Sequence, residues 1–149
     1  MYIVEKLTEI LQNMVDDSNC PLLSWQYNRL SKANVRLDNK QPSPTAVFIQ
    51  IQDFKIDMNR LTKREISHVF ISFLDKELKL DDEGMNENAI ISKMADLATD
   101  FIVRVRGDRS LRITNDAINF KSVFYQSDSN RTGVTVEFDV EETQGSCIQ

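Results

Sequence analysis

Between residues 133 and 142 the chain alternates without a break. Val134, Val136, Phe138 and Val140 fall on one face, and Thr135, Glu137 and Asp139 on the other. A period of two marks an extended strand with one face buried and one wet. Such a strand cannot stand alone, because it needs neighbours for its hydrogen bonds and a layer over its apolar face. Residues 119–126 supply one neighbour. They form a second strand, joined to the first as a hairpin by the polar segment Ser127-Asp128-Ser129-Asn130-Arg131-Thr132. Residues 45–52 alternate as well, Val47, Ile49 and Ile51 opposing Phe48, Gln50 and Gln52, and 53–57 prolong them towards a turn near Asn59. Residues 66–74 are apolar on both faces in their middle, which predicts a central strand covered on both sides. Residues 111–113 add a short strand.

The covering layer is helical. Ile3, Leu7, Ile10, Leu11 and Met14 recur at helical spacing and predict an amphipathic helix over 2–16, stopped by Asp16-Asp17-Ser18-Asn19 and Pro21. A second helix over 86–106 starts at Asn86 as N-cap. It turns Ile90, Met94, Leu97, Ala98, Phe101, Ile102 and Val105 inward and ends on Gly107 as C-cap, with Arg104 and Arg106 at the negative end of its dipole. Residues 22–44 are mixed, with Trp25, Tyr27, Leu30, Val35 and Leu37 as scattered apolar anchors and Gln41-Pro42-Ser43-Pro44 as an extended stop. The order predicts an α+β fold: a mostly antiparallel sheet of about four to five strands with two main helices packed on it. All 149 residues form one domain, with 144–149 as a loose tail.

Charge excludes several functions. The chain has 18 basic and 23 acidic side chains, a net charge of -5, and its excess acid lies entirely in residues 76–149. That balance argues against a broad nucleic-acid footprint and for an acidic face in the C-terminal half. Cys20 and Cys147 lie near opposite ends and read as reduced thiols, although sequence alone leaves a disulfide open. The first residues carry Glu5 and Glu9 and do not read as a secretion signal. No stretch nears the roughly 18 apolar residues of a membrane helix, so a soluble protein without membrane partners is expected.

No catalytic constellation emerges. His68, the single histidine, lies inside a strand with no nucleophile assignable to it, and reads as a partly exposed strand residue. One His and two distant Cys cannot fill a tetrahedral zinc shell. Asp81-Asp82-Glu83-Gly84 with Asn86 and Asn88 lacks the calcium-loop spacing, and Ser92 stands where the terminal glutamate belongs. Four glycines at 84, 107, 133 and 145 make no phosphate cradle, and Glu141-Glu142 point to opposite faces of a strand. No cofactor is expected. Arg104, Arg106, Arg109 and Arg112 form a basic patch, read equally as phosphate-contacting or as helix-end charge. The segment 54–66 interleaves Lys55, Arg60, Lys63 and Arg64 with Phe54, Ile56, Met58 and Leu61. A plain surface hairpin accounts for it about as well as an arm that packs on another subunit.

The layout of helix, strand, extended excursion, strand, helix and closing hairpin resembles the small tail-terminator and head–tail joining (tail completion) proteins of tailed bacteriophages and prophages. The hairpin over 124–140, with a polar turn, Thr132-Gly133-Val134 and an alternating strand, carries most of the likeness. The resemblance implies a non-enzymatic structural ring, usually a hexamer. Such a ring caps the tail tube and docks it to the head connector, with DNA only passing through the lumen. It implies a virion location after assembly in bacterial cytoplasm. Head-to-tail ring closure needs two complementary patches on each subunit. Phe54, Lys55, Arg60, Lys63 and Arg64 on the excursion, against Glu137, Asp139 and Glu141 on the last strand, are the expected interface. A small-molecule-binding or other interaction module of the same fold class is the alternative.

Overall fold

The computed structural model describes residues 2–28, 42–59, 61–76, 83–125, 131–143 and 146–147. In chain order the elements are α1 (Tyr2–Asp16), β1 (Ser24–Asn28), β2 (Thr45–Ile49), β3 (Phe54–Met58), β4 (Thr62–Lys76), α2 (Glu83–Gly107), β5 (Leu111–Ile113), β6 (Asn119–Tyr125), β7 (Arg131–Glu142) and β8 (Ser146–Cys147). Strands β4 and β7 form the spine, paired antiparallel from Ile66↔Glu141 to Lys76↔Arg131. The sheet runs β1-β2-β4-β7-β5, with β3 and β8 also on β4 and β6 also on β7. Among the described residues only the β1–β2 pairing is parallel. The fold is therefore α+β with a mostly antiparallel sheet. Among the described residues its eight strand segments exceed the four to five expected, because the sequence pattern does not mark β1 or β8 as strands and reads β3 as a continuation of β2.

Both helices cover one face. The inward positions read from the sequence are all buried: Ile3, Leu7, Ile10, Leu11 and Met14 on α1, and Ile90, Met94, Leu97, Ala98, Phe101, Ile102 and Val105 on α2. Beneath them lie Val69, Ile71 and Phe73 of β4 and Val134, Val136, Phe138 and Val140 of β7. Phe73, Phe101 and Phe138 join strand, helix and strand, with ring centroids 5.7 and 6.4 Å apart. Arg104 closes the two helices together. Its guanidinium donates to Asp17 at 2.9 Å and to Asp100 at 3.1 Å, which holds the Asp17 carboxyl below its usual range. Trp25 Nε1 donates to Gln12 Oε1 at 2.9 Å, docking β1 on α1.

Five sequence expectations need correction. Helix α2 begins at Glu83, three residues before Asn86, so acid assigned to a loop opens the helix, where negative charge is favourable. Gly107 is the last helical residue and has no left-handed backbone, so it is no αL cap. β2 stops at Ile49, short of Gln52, and is buried on both faces, Phe48 included. β4 runs from Thr62 to Lys76, but its outer face is only partly covered, with Phe70 37% exposed. Finally, the expected loose tail contains β8, which pairs Cys147 with Thr62 and Ser146 with Lys63. Cys20 is a buried free thiol whose pKa is pushed up by that burial.

A projecting hairpin and a histidine clamp as the candidate functional site

β4 is longer than the core beneath it. Its first third, with β3, extends past the helices as a hairpin, to which the short β8 adds alongside Thr62 and Lys63. Asn59 closes the turn: its Oδ1 accepts the N–H of Leu61 at 2.9 Å and of Thr62 at 2.7 Å, and its own N–H donates to Thr62 O at 2.9 Å. The register pairs Phe54 with Ser67, Ile56 with Glu65 and Met58 with Lys63, so these share the helix-side face of the sheet. On the body that face is core. On the hairpin Glu65 and Ser67 are buried, but Phe54, Ile56, Met58 and Leu61 are 51, 51, 67 and 78% exposed. The outer face of the hairpin carries Lys55, Asp57, Arg64 and Ile66, with an ion pair from Arg64 to Asp57 at 3.6 Å.

At the root of the hairpin the ladder is interrupted. β2 pairs Phe48 with Ile71, and β3 pairs Phe54 with Ser67. Six steps along one strand thus match four along β4, so two extra residues bulge out between Ile49 and Asp53. Asp53 O then accepts the His68 N–H at 2.9 Å and resumes the pairing. The bulge opens a cleft of about 230 Å³ lined by Ile49, Gln50, Gln52, Asp53, His68 and Phe70. A second, shallower cleft of about 280 Å³ lies towards Phe54, Lys55 and Asp139.

His68 sits between the two. Its Nδ1 lies 2.7 Å from Asp139 Oδ1 and its Nε2 2.7 Å from Glu137 Oε1. Each ionised carboxylate can only accept, so both ring nitrogens must donate, which selects the imidazolium. Hydrogen bonding to Asp139, reinforced by Glu137, raises the His68 pKa against the opposing effect of burial. The ring also meets Phe70 edge-on at 5.8 Å.

The interface residues expected from sequence fall into three groups. Phe54, Lys55, Lys63 and Arg64 stand on the hairpin, and Arg60 lies outside the described residues. Glu137 and Asp139 are on the outer face of β7, engaged with His68. Glu141 is buried, paired with Arg112. The ladder rows Lys55–Ile66–Glu141 and Ile66–Glu141–Arg112 put basic and acidic positions beside each other on one face. The expected pair of separate basic and acidic patches is thus not how the surface divides. The apolar stripe is on one side of the sheet and the His68 clamp on the other.

The basic patch divides too: Arg104 and Arg112 are in ion pairs, while Arg106 and Arg109 are exposed and make none among the described residues. His68 is the partly exposed strand residue the sequence suggested, but its two carboxylate partners, 69 and 71 residues away, were missed.

A third cluster lies inside the hairpin root. Glu65 and Glu142 are both buried on the helix side. Burial and the nearby Glu65 charge push the Glu142 pKa up, although it accepts the Glu65 backbone N–H and faces Lys63. Among the described residues no group of three or more His, Cys, Asp or Glu side chains converges to hold a metal ion, and no helix is long and apolar enough to cross a membrane. No protein-family model and no curated protein matches the chain.

Proposed function

We propose that this chain is a structural subunit that assembles with copies of itself through the projecting hairpin, as a ring of the tail-terminator type. The carrying observation is the stripe Phe54–Ile56–Met58–Leu61, four large apolar side chains each at least half exposed along one edge of an arm. Fully burying one such side chain from full exposure is worth about 1.5–3 kcal/mol, so covering the part of these four that is exposed is worth roughly 4–7 kcal/mol. A contiguous apolar surface on an arm that contributes nothing to its own core is what an intersubunit contact requires. The tail-terminator part of the reading comes from the resemblance in element order and closing hairpin. It carries with it a ring of six, a tail-tube partner on one rim and a head-connector partner on the other.

Native mass spectrometry of the purified chain tests the assembly. A single closed multimer is expected, and the double substitution Lys63→Glu with Arg64→Glu, which reverses charge on both faces of the arm, is expected to lower its mass. A wild type that stays monomeric throughout the micromolar range overturns the proposal. A retained small molecule on such a monomer instead favours a ligand-binding module, with the clefts beside His68 as its place.

A further inference from the structure

The stripe needs a surface to meet, and we propose that it is the cleft at Ile49, Gln50, Gln52, Asp53, His68 and Phe70 on a second copy of this chain; this rests on the self-assembly reading above. Three observations lead there. First, the two surfaces face opposite sides of one sheet: the stripe shares the side of Ser67, and the cleft opens on the side of His68 and Phe70. A contact between two different surfaces on opposite sides of the sheet suits heterologous pairing. They associate head to tail, each subunit giving a hairpin and receiving one.

Second, their chemistry is complementary. The cleft is apolar at Ile49 and Phe70, which is 37% exposed in the otherwise buried middle of the sheet. Around it stand the carboxylates of Asp53, Glu137 and Asp139, offset by the imidazolium of His68 and, towards Asp139, by Lys55. On the stripe's own face the hairpin brings its apolar side chains with Lys63 beside Met58, while Lys55 and Arg64 stand on the reverse face, Arg64 paired with Asp57. Lys63 beside one apolar centre and carboxylates beside the other favour this orientation of the contact. Third, the sizes agree. An apolar cavity of about 150 Å³ accepts a benzene-sized group, so a cleft of about 230 Å³ takes the Leu61 or Met58 side chain at the hairpin tip.

The test uses two variants of the full chain, each lacking one half of the contact. Ile56→Asp with Leu61→Asp removes the stripe and leaves the cleft; Phe70→Lys spoils the cleft and leaves the stripe. Each is expected to be monomeric by native mass spectrometry with the far-ultraviolet circular dichroism of the wild type. Mixed one to one, they are expected to give a heterodimer and nothing larger, since one intact hairpin meets one intact cleft. A Phe70→Lys variant that keeps the wild-type multimer, while the stripe variant is monomeric, overturns the cleft as receptor and leaves self-assembly standing. A monomeric wild type overturns both.

Should Phe70→Lys fail to fold, Leu61→Cys with Gln50→Cys in a Cys147→Ser background replaces it. Oxidation is expected to give a ladder of cross-linked multimers on a non-reducing gel. A multimer that oxidises without cross-linking overturns the assignment.

Discussion

Replacing glycine by alanine at positions 133 and 107 should move stability in opposite directions. Gly133 lies in β7 opposite Leu74, where the two spine strands approach closely. A Cβ there would fall 1.8 Å from Phe73 O, 2.9 Å from Phe73 C and 3.0 Å from Leu74 Cα. Carbon and carbonyl oxygen normally keep about 3.3 Å or more apart, so the overlap with Phe73 O is about 1.5 Å. All three atoms are backbone in the most extensively paired strand of the sheet, and no flexible side chain can yield. Overpacking of this kind costs about 3 kcal/mol, or about 6–12 °C in Tm for a chain of this length. At Gly107 a Cβ meets nothing within 4 Å and the backbone is not left-handed. Alanine there relieves the entropy cost of a helical glycine, worth about 0.5 kcal/mol and about 1–2 °C. Calorimetry at one fixed protein concentration, so that self-association contributes equally, reads both. A Gly133→Ala Tm within about 2 °C of wild type would refute the close-approach argument.

Two further outcomes follow from the ionisable groups. The folded His68 pKa is raised, so its contribution is complete below the ordinary value near 6.5 and is lost as pH climbs through the folded value. His68→Gln should therefore lower Tm by roughly 1 kcal/mol equivalent at pH 5.5, a modest figure because the clamp is partly exposed, and by little at pH 9. An imidazole NMR titration with its midpoint at or below 6.5 contradicts this. Glu142 is an acid with a raised folded pKa, so folding favours its protonated form and stability falls as pH rises through that value. Glu142→Gln keeps an acceptor for the Glu65 N–H and should raise Tm at pH 8 while changing it little at pH 4; a Tm lowered at pH 8 refutes the assignment.

The parts of the fold legible in the sequence are those where one residue faces one environment along its whole length. Helix α2 and strand β7 qualify, because Ile90 to Val105 and Val134 to Val140 keep strict periods against a continuous core. β2 breaks the rule. Gln50 and Gln52 suggested a polar face for Phe48, but they stand on the bulge, outside the ladder, while Phe48 is core. The arm over 54–66 was visible as unusual composition, and its exposed strand β3 confirms a surface hairpin without fixing what it meets. His68 was invisible as a clamp for a different reason. Glu137 and Asp139 share a face by sequence, but only the β4–β7 register brings them opposite Phe70 and His68. Registry between distant strands is set by the whole sheet and leaves no local trace.

The hairpin and the core are built from one uninterrupted strand. β4 enters from Leu61 and Thr62 at the tip and continues through eleven consecutive rungs with β7, from Ile66 to Lys76. A pull on the arm along the strand axis therefore loads those rungs in parallel, in shear, instead of peeling them apart one after another. Tension arriving at the tip is spread through the body of the subunit, which suits a part held between larger objects.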